Sequence, residues 1–162
     1  MRPVALEIQA FRGWRERVEL KLGAPITAIV AANKAGKSST LNAIEWCLFG
    51  DVISGKGSSG IGERTAWEIY PRDGASGPTE VRLVLRTPGG EAVVTRSAPA
   101  DGDKKGAGTF EVRTPGGSCV SSKQAESWLR ENGLPDWETY RRAHCFHQES
   151  ARTRVIDSKD RS

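Results

Sequence analysis

Apolar and polar positions alternate along the first part of the chain. Residues 4–10 place an apolar side chain at every second position, and residues 18–22 repeat the pattern after a corner at Arg12-Gly13-Trp14. Side chains of a strand point to opposite faces in turn, so a period of two indicates strands that are buried on one face. The N-terminal region is therefore predicted to form two strands.

The next apolar segment is continuous rather than alternating. Residues 26–31 read Ile-Thr-Ala-Ile-Val-Ala, which is typical of a central parallel strand buried on both faces. After a polar loop, a helix is predicted from Ser39 to Phe49, because Leu41, Ile44 and Leu48 have helical spacing and Gly50 follows where a helix stop is expected. The chain is predicted to run strand, loop, helix here.

A hairpin pattern covers residues 80–96, where two alternating stretches flank Pro88-Gly89-Gly90. Another alternating stretch at 109–114 predicts a third strand, and Pro-Gly-Gly recurs directly after it. The segments at 51–78 and 101–108 are rich in glycine and polar residues, as loops are. A small antiparallel sheet is expected from these strands.

The rest of the chain predicts short helices and one more strand. A helix is expected over 122–131 with Gly133 as its stop, and a second short helix over 136–142. The apolar residues that follow predict a strand ending at Gln148. The chain is thus divided into an N-terminal unit at 1–50, an antiparallel insert at 51–121 and a final segment at 122–162.

The polar loop after the predicted parallel strand carries the candidate chemistry. It reads Ala31-Ala32-Asn33-Lys34-Ala35-Gly36-Lys37-Ser38-Ser39, the layout of a phosphate-binding loop. In such a loop backbone N–H groups surround the phosphates, a lysine reaches the outer phosphates, and a serine hydroxyl binds Mg²⁺. Gly36, Lys37 and Ser38 occupy these positions, which predicts a site for ATP.

The match to the general pattern G-x-x-x-x-G-K-[ST] departs at two positions. Ala31 replaces the first glycine, which is tolerable where φ is negative. Lys34 stands where many related loops carry another glycine, so it needs an unusual backbone angle or local strain. The flanking strand and helix favour nucleotide binding over a chance occurrence of Gly-Lys-Ser.

Composition narrows the class of protein. The 162 residues carry a formal charge of +4, an isoelectric point near 9.1 and a mean hydropathy of −0.48. The sequence contains neither a membrane-length apolar stretch nor the apolar segment of a signal peptide, which predicts a cytoplasmic protein with no membrane partner. The mild basicity fits either nucleic-acid contact or ordinary solvated faces.

Three cysteines at unrelated spacings indicate reduced thiols.

A metal site is the competing interpretation of His144-Cys145-Phe146-His147. These residue types bind zinc, but structural zinc sites use four ligands, and no second closely spaced pair of histidine or cysteine ligands occurs elsewhere in the sequence, where Cys119 stands alone. We therefore favour a plain strand at this segment.

Three segments together resemble the N-terminal half of an SMC-like ATPase head, the group of SMC, RecF, RecN and SbcC-type proteins within the ABC ATPase superfamily. They are Ala10-Phe11-Arg12-Gly13-Trp14, the run Asn-Lys-Ala-Gly-Lys-Ser-Ser-Thr-Leu-Asn-Ala-Ile at 33–44, and Cys145-Phe146-His147-Gln148-Glu149. Transporter-type ABC ATPases place the glutamine loop much nearer the phosphate-binding loop, which favours the SMC-like branch. The resemblance implies an α/β P-loop NTPase fold with an antiparallel β-lobe and a small helical segment before the glutamine loop.

The resemblance also implies roles for individual residues. Gln148 becomes the glutamine of that loop, with its side-chain oxygen near Mg²⁺ and the attacking water, and Ser38 becomes a second metal ligand, since Mg²⁺ prefers oxygen ligands. The alternative for Gln148 is a polar residue that only ends a strand. Arg12 matches a position where the family often has a basic residue near the nucleotide, and its alternative is an ordinary surface arginine. Lys56 and Arg64 lie where some relatives contact DNA or nucleotide, and we assign them no role. The predicted nucleotide-binding residues are Arg12, Asn33, Lys34, Ala35, Gly36, Lys37, Ser38 and Ser39.

SMC-like heads are completed by a C-terminal half that a long coiled coil returns to the first half. That half carries the signature motif, the Walker B aspartate, a catalytic glutamate and a switch histidine, none of which this sequence contains. The chain is therefore expected to bind ATP, to hydrolyse it hardly at all, and to stop before the coiled coil.

For the intact protein, the resemblance implies ATP-driven engagement of two heads that controls DNA binding in DNA repair, chromosome maintenance or DNA defence. The implied partners are its own C-terminal half, a second copy, duplex DNA and a nuclease or other repair protein, in a nucleoid-associated setting. The alternative is a non-catalytic module in which ATP binding serves assembly only. A small-molecule kinase or a GTPase is disfavoured, because lid arginines and base-recognition motifs are not evident.

Overall fold

The strands form one antiparallel sheet in the computed structural model, which describes residues 1–33, 35–50, 77–99 and 108–140. Within these residues the elements are β1 (Arg2–Gln9), β2 (Val18–Lys21), α1 (Lys37–Phe49), β3 (Thr79–Thr87), β4 (Gly90–Ala98), β5 (Phe110–Arg113), β6 (Cys119–Ser121), α2 (Ser122–Glu131) and α3 (Trp137–Thr139). The sheet order is β2-β1-β3-β4-β5-β6. Because β3 pairs with β1, the later strands extend the N-terminal hairpin rather than form a separate sheet.

One face of the sheet carries the core. Leu6 on β1 lies opposite Leu83 on β3, which lies opposite Val94 on β4, and Val94 lies opposite Val112 on β5. All four side chains are fully buried. Burial of one such side chain stabilises a fold by about 1.5–3 kcal/mol, so this continuous apolar row holds four strands in register.

Helix α1 covers the middle of the buried face, where it packs against β1, β3 and β4. Its Ala43, Trp46 and Cys47 belong to the core. The helix stops at Gly50, whose φ of 73° is the left-handed conformation that glycine adopts without penalty, and whose N–H donates to the Trp46 carbonyl at 2.8 Å. Helix α2 lies against β5 and β6.

Arg96 ties β4 to the end of α1. It lies opposite Phe110 in the register, and its guanidinium carbon is 3.9 Å from the centroid of that ring. Its Nε donates to the Cys47 carbonyl at 3.1 Å, which places a positive charge at the negative end of the helix dipole. Burial raises the pKa of the Cys47 thiol to about 12, so this cysteine is protonated and unreactive at neutral pH.

Most elements that the alternation predicts are confirmed. The two N-terminal strands, the hairpin, the third strand and α2 all occur within two residues of their expected ends, and α1 begins two residues early, at Lys37. The pattern does not predict β6, because three residues are too few to show a period. The second short helix, predicted at 136–142, is found in part as α3, and residues 141–142 lie outside the described residues. Asp136 caps α3 by accepting a hydrogen bond from the Thr139 N–H at 2.9 Å.

The prediction of a buried parallel strand at 26–31 is wrong for the described residues. No strand is assigned there, and Ile26 and Val30 are 88% and 91% exposed. A parallel strand needs neighbours that supply hydrogen bonds along its edges, and the six strands in the described ranges pair only with one another. The apolar run therefore lies uncovered on the described part of the chain.

Glu7, which lies on β1, forms ion pairs with two arginines from other parts of the chain. Its carboxylate pairs with Arg17, which precedes β2. Arg82, which lies opposite Glu7 on β3, donates to Glu7 Oε1 at 2.6 Å. Burial of the carboxyl raises its pKa, but the hydrogen bonds and charges of the two arginines lower it more, so the pKa of Glu7 lies below the usual glutamate value of 4.5. These ion pairs therefore depend on pH.

We expect Glu7→Gln to remove part of the acid sensitivity of the fold. Because the folded-state pKa is depressed, the stabilisation is complete above pH 4.5 and is lost as the pH falls through the folded pKa. Thermal melts at falling pH should show a variant less stable than wild type at neutral pH, by a difference that narrows once the pH falls below the ordinary value of 4.5.

The matched control for this series is Glu91→Gln. Glu91 pairs with Arg86 at 2.9 Å, but both side chains are more than half exposed, and exposed pairs contribute little. The control should melt like wild type at every pH. A Tm difference for Glu7→Gln that does not narrow at any pH below 4.5 at which the chain still folds contradicts the assignment.

Candidate nucleotide-binding site

The loop before α1 ends in an uncapped helix N-terminus. Gly36 is the N-cap residue with a φ of 91°, no side-chain cap hydrogen bond is formed, and the first turn contains no acidic residue. The unpaired N–H groups and the positive end of the dipole of a thirteen-residue helix attract anions. This terminus is suited to a phosphate group.

Lys37, the first residue of α1, folds back over the loop. Its Nζ donates to the carbonyl oxygens of Ala31 and Ala32, both at 2.7 Å. Charge-assisted hydrogen bonds of this length are stronger than neutral ones. They hold a positive charge against the loop backbone, so the cation and the helix N–H groups lie in one small region.

Three neighbouring hydroxyl residues of the first turn differ in their surroundings. Thr40 is fully buried, and both its N–H and its Oγ1 donate to the Gly36 carbonyl, at 3.0 and 3.2 Å. Ser39 is half-buried and Ser38 is exposed. Ser38 is thus accessible to a metal ion, whereas Thr40 fixes the turn. The sequence pattern assigns no role to Thr40, whose only signal is its place after Gly-Lys-Ser-Ser.

The remaining loop residues also have defined positions. Asn33 and Ala35 are exposed, and the Ala35 N–H donates to the Ala32 carbonyl at 3.3 Å. Ala31 is not among the described residues with positive φ, so alanine meets no left-handed penalty where the general pattern has glycine. This agrees with the expectation for Ala31.

The corner of the N-terminal hairpin is a tight turn. Phe11 and Trp14 exchange two backbone hydrogen bonds of 2.9 Å each, and Arg12 has a φ of 51°. A left-handed residue with a Cβ costs about 1 kcal/mol or more, so the surroundings must hold the turn. Phe11 does so, because its fully buried ring lies 5.6 Å from the ring of Trp46 on α1.

This corner lies directly against the loop. A Cβ placed on Gly36 would lie 3.2 Å from the ring of Trp14, and one placed on Gly13 would lie 3.8 Å from the Ser39 hydroxyl oxygen. Arg12 stands between Phe11 and Gly13 in the chain, so its backbone is beside the loop. The sequence pattern assigns no role to Trp14, and its only signal is an aromatic residue inside the corner.

Oxygen ligands for a metal ion are few at this site. No group of three or more His, Cys, Asp or Glu residues that could hold a metal occurs within the described ranges. Mg²⁺ commonly keeps several waters and binds through one or two protein oxygens together with phosphate oxygens. Ser38 Oγ therefore fits a magnesium ion held jointly with a phosphate ligand.

Two predicted site residues, Lys34 and Gln148, lie outside the described residues, and their roles remain predictions. Lys56, Arg64 and the segment at 144–147, to which no site role is assigned, also lie outside them.

Comparisons with known proteins address the fold. A family model described as an AAA domain matches residues 5–161. A solved structure described as "Structural biochemistry of ATP-driven dimerization and DNA stimulated activation of SMC ATPases" superposes with a TM-score of 0.61 at 19% identity, over 97% of this chain and 99% of that one. The SMC head domain from Thermotoga maritima superposes with a TM-score of 0.52 at 24% identity, over 81% of this chain and 41% of that one.

At these identities the structural likeness shows the fold alone, and it confirms the predicted architecture of an SMC-like head. This chain spans less than half the length of the Thermotoga maritima head. No protein with a curated description matches the chain. Among the described residues, no helix has both the length and the apolar character needed to cross a membrane.

Proposed function

This chain belongs to the AAA domain family, and we propose that it binds ATP together with Mg²⁺ at the loop before α1. The observation that carries the proposal is the meeting of a cation with an uncapped helix N-terminus. Lys37 Nζ lies 2.7 Å from two loop carbonyls, and Gly36 leaves the first N–H groups of α1 without a side-chain cap. When ATP binds, the ammonium exchanges these carbonyls for phosphate oxygens, and the N–H groups donate to the phosphates.

Two further residues take part in the proposed site. Ser38 supplies a hydroxyl ligand to Mg²⁺, supported by its exposure on the first turn of α1. Arg12 contacts the nucleotide from the hairpin corner, supported by the packing of Gly13 beside Ser39. Gln148 is proposed as the remaining protein oxygen near the metal, on the resemblance alone.

Ser38→Ala is expected to remove most of the benefit of Mg²⁺ for ATP binding. Wild type should bind ATP more tightly with Mg²⁺ than with a chelator, and the variant should show a much smaller difference, because one inner-sphere oxygen is lost. Calorimetric titration in both conditions measures it. Ser118→Ala, at an exposed serine before β6, is the control and should behave as wild type. Equal Mg²⁺ dependence in the two variants would remove Ser38 from the metal site.

We further propose that the C-terminal half of the protein covers the apolar segment at 26–31. The support is its apolar sequence, the exposure of Ile26 and Val30, and an exposed Leu41 on α1 nearby in the chain. Uncovered apolar surface of this kind commonly marks an interface. In this proposal the same half supplies the carboxylates that orient the attacking water, so the present chain binds ATP but hardly hydrolyses it.

In the intact protein, the proposal is that ATP drives engagement of two heads and that this controls DNA binding in repair, chromosome maintenance or DNA defence. The solved relative described by ATP-driven dimerization and DNA-stimulated activation supports this by analogy. In this proposal ATP favours the engaged state of the two heads, because ATP binds that state more tightly than the separated one.

The DNA part has its own test in the intact protein. Binding of a duplex, measured at several salt concentrations with and without ATP, should weaken steeply as salt increases, because phosphate contacts release counterions. It should also respond to ATP. Binding that is absent, or that responds to neither salt nor ATP, rejects the DNA role and leaves ATP binding standing.

A further inference from the structure

Trp14 lies under the nucleotide loop without a hydrogen-bond partner for its indole nitrogen. A Cβ on Gly36 would lie 3.2 Å from Cε2 and Cζ2 of Trp14 and 3.4 Å from its Nε1. The Nε1 atom is buried, and no acceptor lies within hydrogen-bond distance of it among the described residues. Tryptophan N–H groups usually find a partner when buried, so hydrogen bonding does not explain this residue's position.

The ring is held firmly in this place. Trp14 closes the hairpin corner through two backbone hydrogen bonds of 2.9 Å with Phe11. Phe11 is fully buried and packs on Trp46, which belongs to α1. The corner is therefore anchored to the helix whose N-terminus forms the site, and the Trp14 side chain is partly buried against the core.

Gly36 has two close neighbours. Its carbonyl accepts both hydrogen bonds of Thr40, which set the first turn of α1. The indole of Trp14 lies where a Cβ on Gly36 would project. Gly36 has a φ of 91°, which mainly glycine adopts, and glycine is also free to adopt many other backbone conformations. Contact with the rigid Trp14 ring reduces the number of backbone conformations that Gly36 can adopt.

We propose that Trp14 is a positioning residue for ATP binding: its ring braces Gly36 so that the backbone N–H groups of the loop are aimed at the phosphates before ATP arrives. It acts through Gly36 and does not touch the nucleotide. Preorganisation of this kind increases affinity by reducing the ordering cost of binding. The inference rests on the proposed ATP site and adds a residue to it.

Two substitutions of Trp14 compare the loss of the aromatic ring with its replacement by a smaller ring that has no N–H. Trp14→Ala removes the brace and is expected to weaken binding of Mg²⁺-ATP by about tenfold. Trp14→Phe loses the unpaired N–H and part of the ring but keeps a rigid aromatic ring at the corner, so it should bind within about threefold of wild type. Titration calorimetry well below the melting temperature of each variant measures both.

Trp128→Ala is the matched control. Trp128 is a half-buried tryptophan on α2 that packs against the core, and α2 lies against β5 and β6. This variant should melt at a lower temperature than wild type and bind Mg²⁺-ATP with unchanged affinity. A purely structural role for Trp14 would make its alanine variant behave in the same way, with a lower Tm and normal affinity, which overturns the inference.

Emission measurements keep the test decisive if Trp14→Ala does not fold. Addition of Mg²⁺-ATP should change the tryptophan emission of wild type and of Trp128→Phe, and the change should disappear in Trp14→Phe. An undiminished change in Trp14→Phe contradicts the inference. The two levels remain distinct: a wild type that binds no ATP rejects the ATP site and the brace together. Normal affinity of Trp14→Ala beside a binding defect of Lys37→Ala rejects the brace alone.

Discussion

Lys37→Ala is expected to weaken ATP binding by roughly a hundredfold. The ammonium is a charged donor, charged hydrogen bonds contribute about 1.5–3 kcal/mol each, and about 1.4 kcal/mol corresponds to a factor of ten in affinity. Lys37 Nζ already lies beside the backbone of the loop, 2.7 Å from two carbonyls. Titration of Mg²⁺-ATP into wild type and variant measures the loss.

The stability of the chain should change little in the same variant. The carbonyls that Lys37 contacts belong to Ala31 and Ala32, which are exposed, so water replaces the ammonium when the side chain is removed. A large loss of affinity with an unchanged Tm is therefore the expected signature. A site lost through unfolding would change both quantities together.

Two companion variants sharpen this result. Lys21→Ala removes an exposed lysine on β2 and should leave affinity unchanged, which excludes a general effect of charge. Lys37→Arg keeps the charge but should restore little affinity, because a planar guanidinium does not replace a compact ammonium. If Lys37→Ala binds ATP as wild type does, the phosphate-binding loop is assigned wrongly.

Gly36→Ala is expected to lower both the free energy of unfolding and the affinity for ATP. A φ of 91° costs a residue with a Cβ about 1–2 kcal/mol. The new methyl group would also lie 3.2 Å from the Trp14 ring, and overpacking of this kind costs about 1–3 kcal/mol. Because Trp14 is held by the corner, the loop must shift instead, and the N–H groups move with it.

Gly133→Ala is the matched control for this substitution. Gly133 has a φ of 94°, close to that of Gly36, but nothing lies within 4 Å of a Cβ placed there. The control therefore isolates the backbone cost, about 1–2 kcal/mol, and should leave ATP affinity unchanged. Chemical denaturation and ATP titration of both variants give the comparison. Equal losses of stability in the two variants contradict a tight contact with Trp14.

The strands and helices were largely predictable because their causes are local. The alternation of Leu83 and Leu85 with polar neighbours indicates one buried face whatever covers it, and both are buried in β3. The end of α1 at Gly50 was predictable because it depends on the left-handed backbone angle of Gly50 itself. At the site, Gly36 and Lys37 were recognisable because the spacing of a phosphate-binding loop is itself a local pattern.

Contacts between distant segments were not predictable in the same way. Nothing near Trp14 in the sequence shows that its ring lies against Gly36, since the contact joins the hairpin corner to the start of α1. Arg96 is charged, yet it lies beside Phe110 and caps α1 through the Cys47 carbonyl. Such positions depend on which elements pack together, and a single sequence records only the character of each element.

The sequence by itself determined the period of the strands, the stop of α1 and the chemistry of the loop, because each follows from residues within a few positions of one another. Only the tertiary structure decided that the later strands extend the sheet of β1, that Trp14 braces the loop, and that residues 26–31 lie exposed. The physical reason is that an apolar run favours burial, but burial requires another surface to cover it. Which surface does so depends on packing between distant parts of the chain.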